Sequence, residues 1–178
     1  MEVRVKGTLA WVALALVVFG VIMRLLPHPA NFAPVGAIAL FGGAILHRKL
    51  GWWLPLAVMV VSDLIIGFYD GIVFTWIAFL LVGLYGMSLR QQNNWRRIPL
   101  GALGSAVIFF IVSNFGVWAE GRMYAHTWSG LAECYQMALP FFRNTFVSDL
   151  AYSAVLFGVY AAAVRFVPQP VPETTTDR

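Results

Sequence analysis

The chain has 178 residues, of which 60% are hydrophobic, 15% aromatic and 11% charged, and its formal net charge is +4. Mean hydropathy is +0.77. Soluble domains carry about 25% charged residues, so this composition excludes a water-soluble single domain. The apolar content excludes a disordered or collagen-like chain, and the single cysteine, Cys134, excludes a disulfide scaffold.

A membrane-spanning helix needs about 20 apolar residues. The expected fold is therefore all-α, an integral membrane bundle of about six transmembrane helices. Residues 1–167 form one transmembrane domain, with no room for a soluble catalytic or ATP-binding module. The first apolar run, 9–26, follows Arg4 and Lys6 in the manner of a signal peptide. Arg24 and Pro27 follow it instead of a small-residue cleavage site, so it reads as a retained helix. The second run, 34–46, is short and rich in Gly and Ala. It reads either as a short span buried among other helices or as a re-entrant segment. The third, 50–68, contains Asp63. The fourth, 71–87, has Tyr85 as its only ionisable group. The fifth, 98–118, contains Asn114. A long connection, 119–143, leads to a sixth span from about Asn144 to Val167. The tail, 168–178, is polar and Pro-rich and reads as disordered and cytoplasmic.

Basic residues orient such a bundle. With both termini in the cytoplasm, Arg4, Lys6, Arg48, Lys49, Arg90, Arg96, Arg97, Arg165 and Arg178 lie inside, nine of the twelve basic residues. Asp63, Asp70, Glu120, Glu133 and Asp149 lie outside. The positive charge thus reads as topology and not as nucleic-acid binding. The expected location is the inner membrane of a bacterium, with multiple spans.

The remaining polar groups gather in the outer half. Arg24 closes span one, and His28 and Asn31 follow in the first outer loop. Asp63 and Asn114 sit in the outer thirds of spans three and five, with Trp118 one turn beyond. Tyr124 lies in the long connection, and Arg143, Asn144 and Asp149 open span six. A charge facing lipid costs several kcal/mol, so these groups should face each other or a wet cavity. Arg24 and Arg143 are placed to pair with Asp63 and Asp149. Blander readings stand beside these. Arg24 can snorkel, Asn144 can cap the sixth helix, Asn114 can join two helices, and Asp149 can sit at an interface. Gly36, Ala37, Ala39, Gly42, Gly43 and Ala44 suit close helix packing.

Catalytic motifs are missing from the sequence. It contains no phosphate-binding Gly loop ending in Lys-Ser or Lys-Thr, no His-Glu-x-x-His, no Gly-x-Ser-x-Gly and no Cys-x-x-Cys. His28, His126 and Cys134 match no metal-ligand spacing. Neither a catalytic residue, a metal nor a cofactor is expected.

The stretch from Arg24 through Pro27-His28-Pro29-Ala30-Asn31-Phe32-Ala33-Pro34 to Gly42-Gly43-Ala44 resembles the opening of a family of small bacterial membrane proteins of unknown function, described as candidate transporters. Ser62-Asp63, Ser113-Asn114-Phe115 with Trp118, Tyr124, Gly130-Leu131, Cys134-Tyr135, Leu139-Pro140-Phe141-Phe142, Asn144 and Asp149 continue the likeness. In length, span number and cytoplasmic ends the chain is also similar to the substrate-binding subunits of energy-coupling-factor transporters. That likeness implies a first loop, 24–32, that caps a solute. Asp63, Asn114, Trp118 and Asn144 would line the pocket, and a transmembrane scaffold with ATPase subunits would be the partner. Span one lacks the Ala-x-x-x-Ala pair those subunits use for docking; Ala39 and Gly43 give a small pair in span two instead. Position 2 is Glu, where the nickel and cobalt versions carry histidine.

The leading expectation is a membrane protein that binds a small organic solute from the outer side, as a transporter or its binding subunit. The candidate contacts are Arg24, His28, Asn31, Asp63, Asn114, Trp118, Tyr124, Arg143, Asn144 and Asp149. The alternatives are a structural or assembly subunit without a ligand, and a membrane enzyme acting on a lipid or isoprenoid head group through Asp63 or His126.

Overall fold

The computed structural model describes residues 2–46, 48–90 and 97–165. The expectations for the tail at 168–178 lie outside those residues. Among the described residues there are six helices: α1 (Glu2–Leu25), α2 (Val35–Ile45), α3 (Arg48–Ile66), α4 (Ile72–Ser88), α5 (Ile98–Ala119) and α6 (Trp128–Arg165). Two of them, α5 and α6, are long and apolar enough to cross a membrane. The all-helical expectation therefore holds.

α2 is the axis of the bundle. It packs against all five other helices. Ten of its eleven residues, Val35 to Ala44, are buried. Its composition explains how. Gly42 and Gly43 carry no side chain, so neighbouring backbones approach directly. A Cβ at Gly51 would stand 2.7 Å from the Gly42 carbonyl oxygen, and one at Gly86 would stand 2.5 Å from that of Leu40. A Cβ at Gly43 would collide with the carbonyl oxygen of Gly83. Small residues at such crossings replace side-chain packing with backbone contact. Around this axis Ile38, Val58, Met59, Leu54 and Leu46 form the apolar core, with Ala13, Leu16 and Val21 from α1.

α6 departs from expectation. It begins at Trp128, not near Asn144, and runs unbroken for 38 residues through Pro140. The connection expected over 119–143 therefore shrinks to residues 120–127. Residues 128–143 are helical because Gly130, Cys134 and Ala138, four apart, present one small buried face. That face lies along α5, where the Tyr135 hydroxyl donates to the Ile111 carbonyl at 2.6 Å and Phe110 packs edge-on against Tyr135 and Phe142.

The turn at 67–71 and the α5–α6 connection are tied together. The Gly71 N–H donates to a Glu120 carboxylate oxygen at 2.5 Å, and Arg122 pairs with Asp70 at 2.8 Å. Gly71, at φ 79°, takes the left-handed conformation that starts α4.

The backbone crossings give a stability test. Gly43→Ala should destabilise by about 1–3 kcal/mol through overpacking, read as a lower melting temperature of the detergent-solubilised protein. Gly158→Ala, where an added Cβ meets nothing within 4 Å, should show no such loss.

Candidate functional site

The polar residues inside the bundle fall into two groups. The first lies where α1 and α3 end and α4 begins. Arg24 Nη1 stands 2.7 Å from Asp63 Oδ1. The contact is off the N–H direction, so it is an ion pair and not an aligned hydrogen bond. The same nitrogen donates to the Ser62 hydroxyl, which donates in turn to the Val58 carbonyl. Asp63 is fully buried, and its Oδ2 accepts the Trp76 indole N–H at 2.7 Å. Arg24 keeps 14% of its side chain exposed. One carboxylate thus joins α1, α3 and α4. Tyr69, in the turn above, borders the pair. Burial holds its phenol above the ordinary value; nearby Thr75 opposes this, Asp63 adds to it and Arg24 opposes it.

The second group surrounds the start of α2. The N-cap residue there is Pro34, which provides no side-chain cap. Asp149 of α6 takes that place. Its carboxylate lies against Gly36, where a Cβ would collide with it, and accepts the backbone N–H of Ala37. Ser105 of α5 donates to its Oδ2 at 2.6 Å. Above it, α6 holds the segment 26–34 rung by rung. Asn144 Nδ2 donates to the Ala30 carbonyl at 3.0 Å, the Ser148 hydroxyl donates to that of Ala33 at 3.0 Å, and Tyr152 packs against Phe32. Pro27, Pro29 and Pro34 remove three N–H donors from this segment, and Asn31 turns it at φ 60°.

These rungs lead inward. Ser105 lies seven residues from the start of α5 and fourteen from its end, so about 21 Å of helix extends beyond it. The segment 26–34 leaves α1 beside Asp63 and descends into the bundle before α2 starts.

The chain belongs to a family of unknown function (DUF6580). The family's sequence model matches residues 6–170. No curated protein and no solved structure matches the chain. The resemblance seen in the motifs is thus a family likeness, and the family carries no assigned activity.

The ten residues singled out from sequence separate accordingly. Arg24 and Asp63 meet. Asn144 and Asp149 belong to the second group. Asn144 is not an N-cap, because it lies inside α6. Asn114 turns back to the Phe110 carbonyl of its own helix at 2.8 Å. Trp118 donates to the Ala125 carbonyl at 2.9 Å and packs against His126. His28 and Asn31 are exposed in the segment 26–34, Tyr124 is half-buried in the α5–α6 connection, and Arg143 is exposed on α6. Arg143 is absent from the Asp149 contacts; Ser105 stands there instead. Trp76 and Ser105 were the partners sequence reasoning missed. A buried indole N–H needs an acceptor, which was the one available hint to Trp76. Among the described residues no group of three metal-ligating side chains occurs.

Two measurements follow. Removing one member of a buried ion pair costs about 3–5 kcal/mol, while replacing both by apolar residues is often neutral. Arg24→Leu and Asp63→Leu should each lower stability strongly, and the double variant should recover most of it, read as a coupling free energy in a double-mutant cycle. For Tyr69, the raised folded value means its contribution is complete below the unfolded value of 10.0 and is lost as pH rises through the folded one. Tyr69→Phe should therefore melt less steeply with rising pH in the alkaline range than the parent.

Proposed function

We propose that this chain is a multi-span membrane protein that binds a small polar solute beside Arg24 and Asp63, as a transporter or the binding subunit of one. The observation that carries the reading is an inverted polarity. Asp63, Asp149, Ser62, Ser105, Ser148 and Ser153 are buried, while Trp11, Phe68 and Trp128 are 72%, 72% and 87% exposed. Lipid, not water, is the solvent that favours this arrangement. At 11 residues α2 rises about 16 Å and cannot cross a hydrocarbon core of about 30 Å alone. The descending segment 26–34 and α2 together make that crossing. Non-helical backbone at membrane depth is tolerated where it is buried in protein or lines a water-filled cavity. His28, Ala30 and Asn31 are exposed in that segment, which favours the wet side. Arg24, partly exposed beside a neutralising Asp63, offers the solute a guanidinium whose charge is already balanced. The charge asymmetry supports an inner-membrane location with both termini in the cytoplasm.

A second reading has its own support. Asp149 and Asp63 each have a partner on another helix, as expected of groups that only join helices.

Small molecules extracted from the purified protein, identified by mass spectrometry and added back, separate the two. A true solute at a hundredfold over its Kd stabilises by about 2.7 kcal/mol. The melting temperature should rise with the parent protein and not with Asp63→Asn. A protein that carries no small molecule, with a melting point indifferent to all that are added, fits the helix-joining reading instead.

A further inference from the structure

Arg24 neutralises Asp63, but among the described residues Asp149 has no such partner. α2 contributes no charged or titratable side chain, and neither does α5. From α4, Tyr85 lies against Gly104, the neighbour of Ser105. On α6 the flanking groups are Arg143, six residues earlier and exposed, and Tyr152, three later, whose ring packs on Phe19 and Phe32. In the segment 26–34, His28 is exposed and engaged with the Pro29 carbonyl. What faces the Asp149 carboxylate is the Ser105 hydroxyl, the Ala37 N–H and the positive end of α2.

Ser153, one turn beyond Asp149, is fully buried, and among the described residues its hydroxyl has no hydrogen-bond partner, so it does not engage the carboxylate. A buried carboxylate with no opposite charge beside it is balanced by dipoles alone, and its neutral form is one proton away.

We propose that Asp149 is a proton-binding site whose occupancy sets how firmly α6 holds the start of α2. A proton from water adds to a lone pair of one carboxylate oxygen and forms an O–H bond; no bond in the protein breaks. The ionised form accepts from Ser105 and Ala37 and complements the positive end of α2. The protonated form loses that charge and with it the attraction to the helix end. The next rungs along α6, Ser148 and Asn144, hold the segment 26–34, so a proton at Asp149 acts on the entry to the solute site. This link to the entry rests on the membrane and solute reading above; the proton site does not.

The test is infrared spectroscopy of the full-length protein in detergent, with aspartate carboxyls isotopically labelled. A carboxylic C=O stretch should grow as pH falls, persist in Asp63→Asn and vanish in Asp149→Asn. Its frequency should move in Ser105→Ala, where the carboxyl loses its side-chain hydrogen bond. Over the same pH steps, the first amides of α2 should lose protection from hydrogen exchange beyond the intrinsic pH effect, and should not do so in Asp149→Asn. If Asp149→Asn does not fold, Ser105→Ala carries the assignment. A folded protein with no titrating band that responds to these substitutions overturns the site. A titrating band without a change in α2 protection overturns the coupling. Neither readout involves a solute, so failure to find one leaves this result standing.

Discussion

A helix that starts inside a protein brings its first N–H groups into a place where water cannot reach them. α2 does this, and its own N-terminal residue, Pro34, has no side chain able to cap it. The Asp149 carboxylate supplies the missing acceptor from another helix. That single requirement fixes much else. Gly36 must lack a side chain, because a Cβ there would occupy the carboxylate's position. Ser105 must stand opposite, which sets the register of α5 on α6. α6 must pass the start of α2 as continuous helix, with Ser148 next to Asp149 and Asn144 little more than one turn above it to satisfy the carbonyls of Ala33 and Ala30.

The two buried acids solve the same electrostatic problem differently. Asp63 is paired with a full positive charge and an indole N–H, and joins three helices. Among the described residues Asp149 draws on partial charges: a hydroxyl, a backbone N–H and a helix end. A paired charge is hard to change without breaking the structure. A charge balanced by dipoles alone has a neutral form that differs by one proton. The fold therefore places its rigid polar joint near the end of the bundle and its adjustable one deeper inside.

The first five helices were legible because each apolar run is bounded by a Pro, Gly or charged residue; the second run, 34–46, became α2 at Val35–Ile45. The start of α6 was hidden. Residues 128–143 mix Glu133, Gln136 and Arg143 with apolar residues, and Pro140 reads as a break. The helix survives there because its polar side chains face away from α5 and its small ones face toward it. The same hidden start makes Asn144 and Asp149 look like residues of a helix start. Asp149 does serve a helix start, but that of α2. The Arg24–Asp63 pairing was legible because a buried charge demands an opposite one. Ser105 was not, since a lone serine in an apolar run gives no compositional signal of the acid it will meet.

The shortness of α2 now has a physical reading. Had the helix continued upward to the level of α1's end, its backbone would have satisfied itself and left nothing for α6 to hold. Instead the chain descends as segment 26–34, with three prolines reducing its donors and two α6 side chains answering its carbonyls. Those two bonds are weak and local, whereas the contacts of α2 with α3 and α4 below are backbone against backbone through Gly42, Gly43, Gly51 and Gly86. A displacement of the segment would therefore break hydrogen bonds along α6 before it disturbed the glycine crossings. The division between a loosely held upper half and a tightly packed lower half is set by the sequence change at Pro34, where a proline-rich stretch gives way to a run of Gly and Ala.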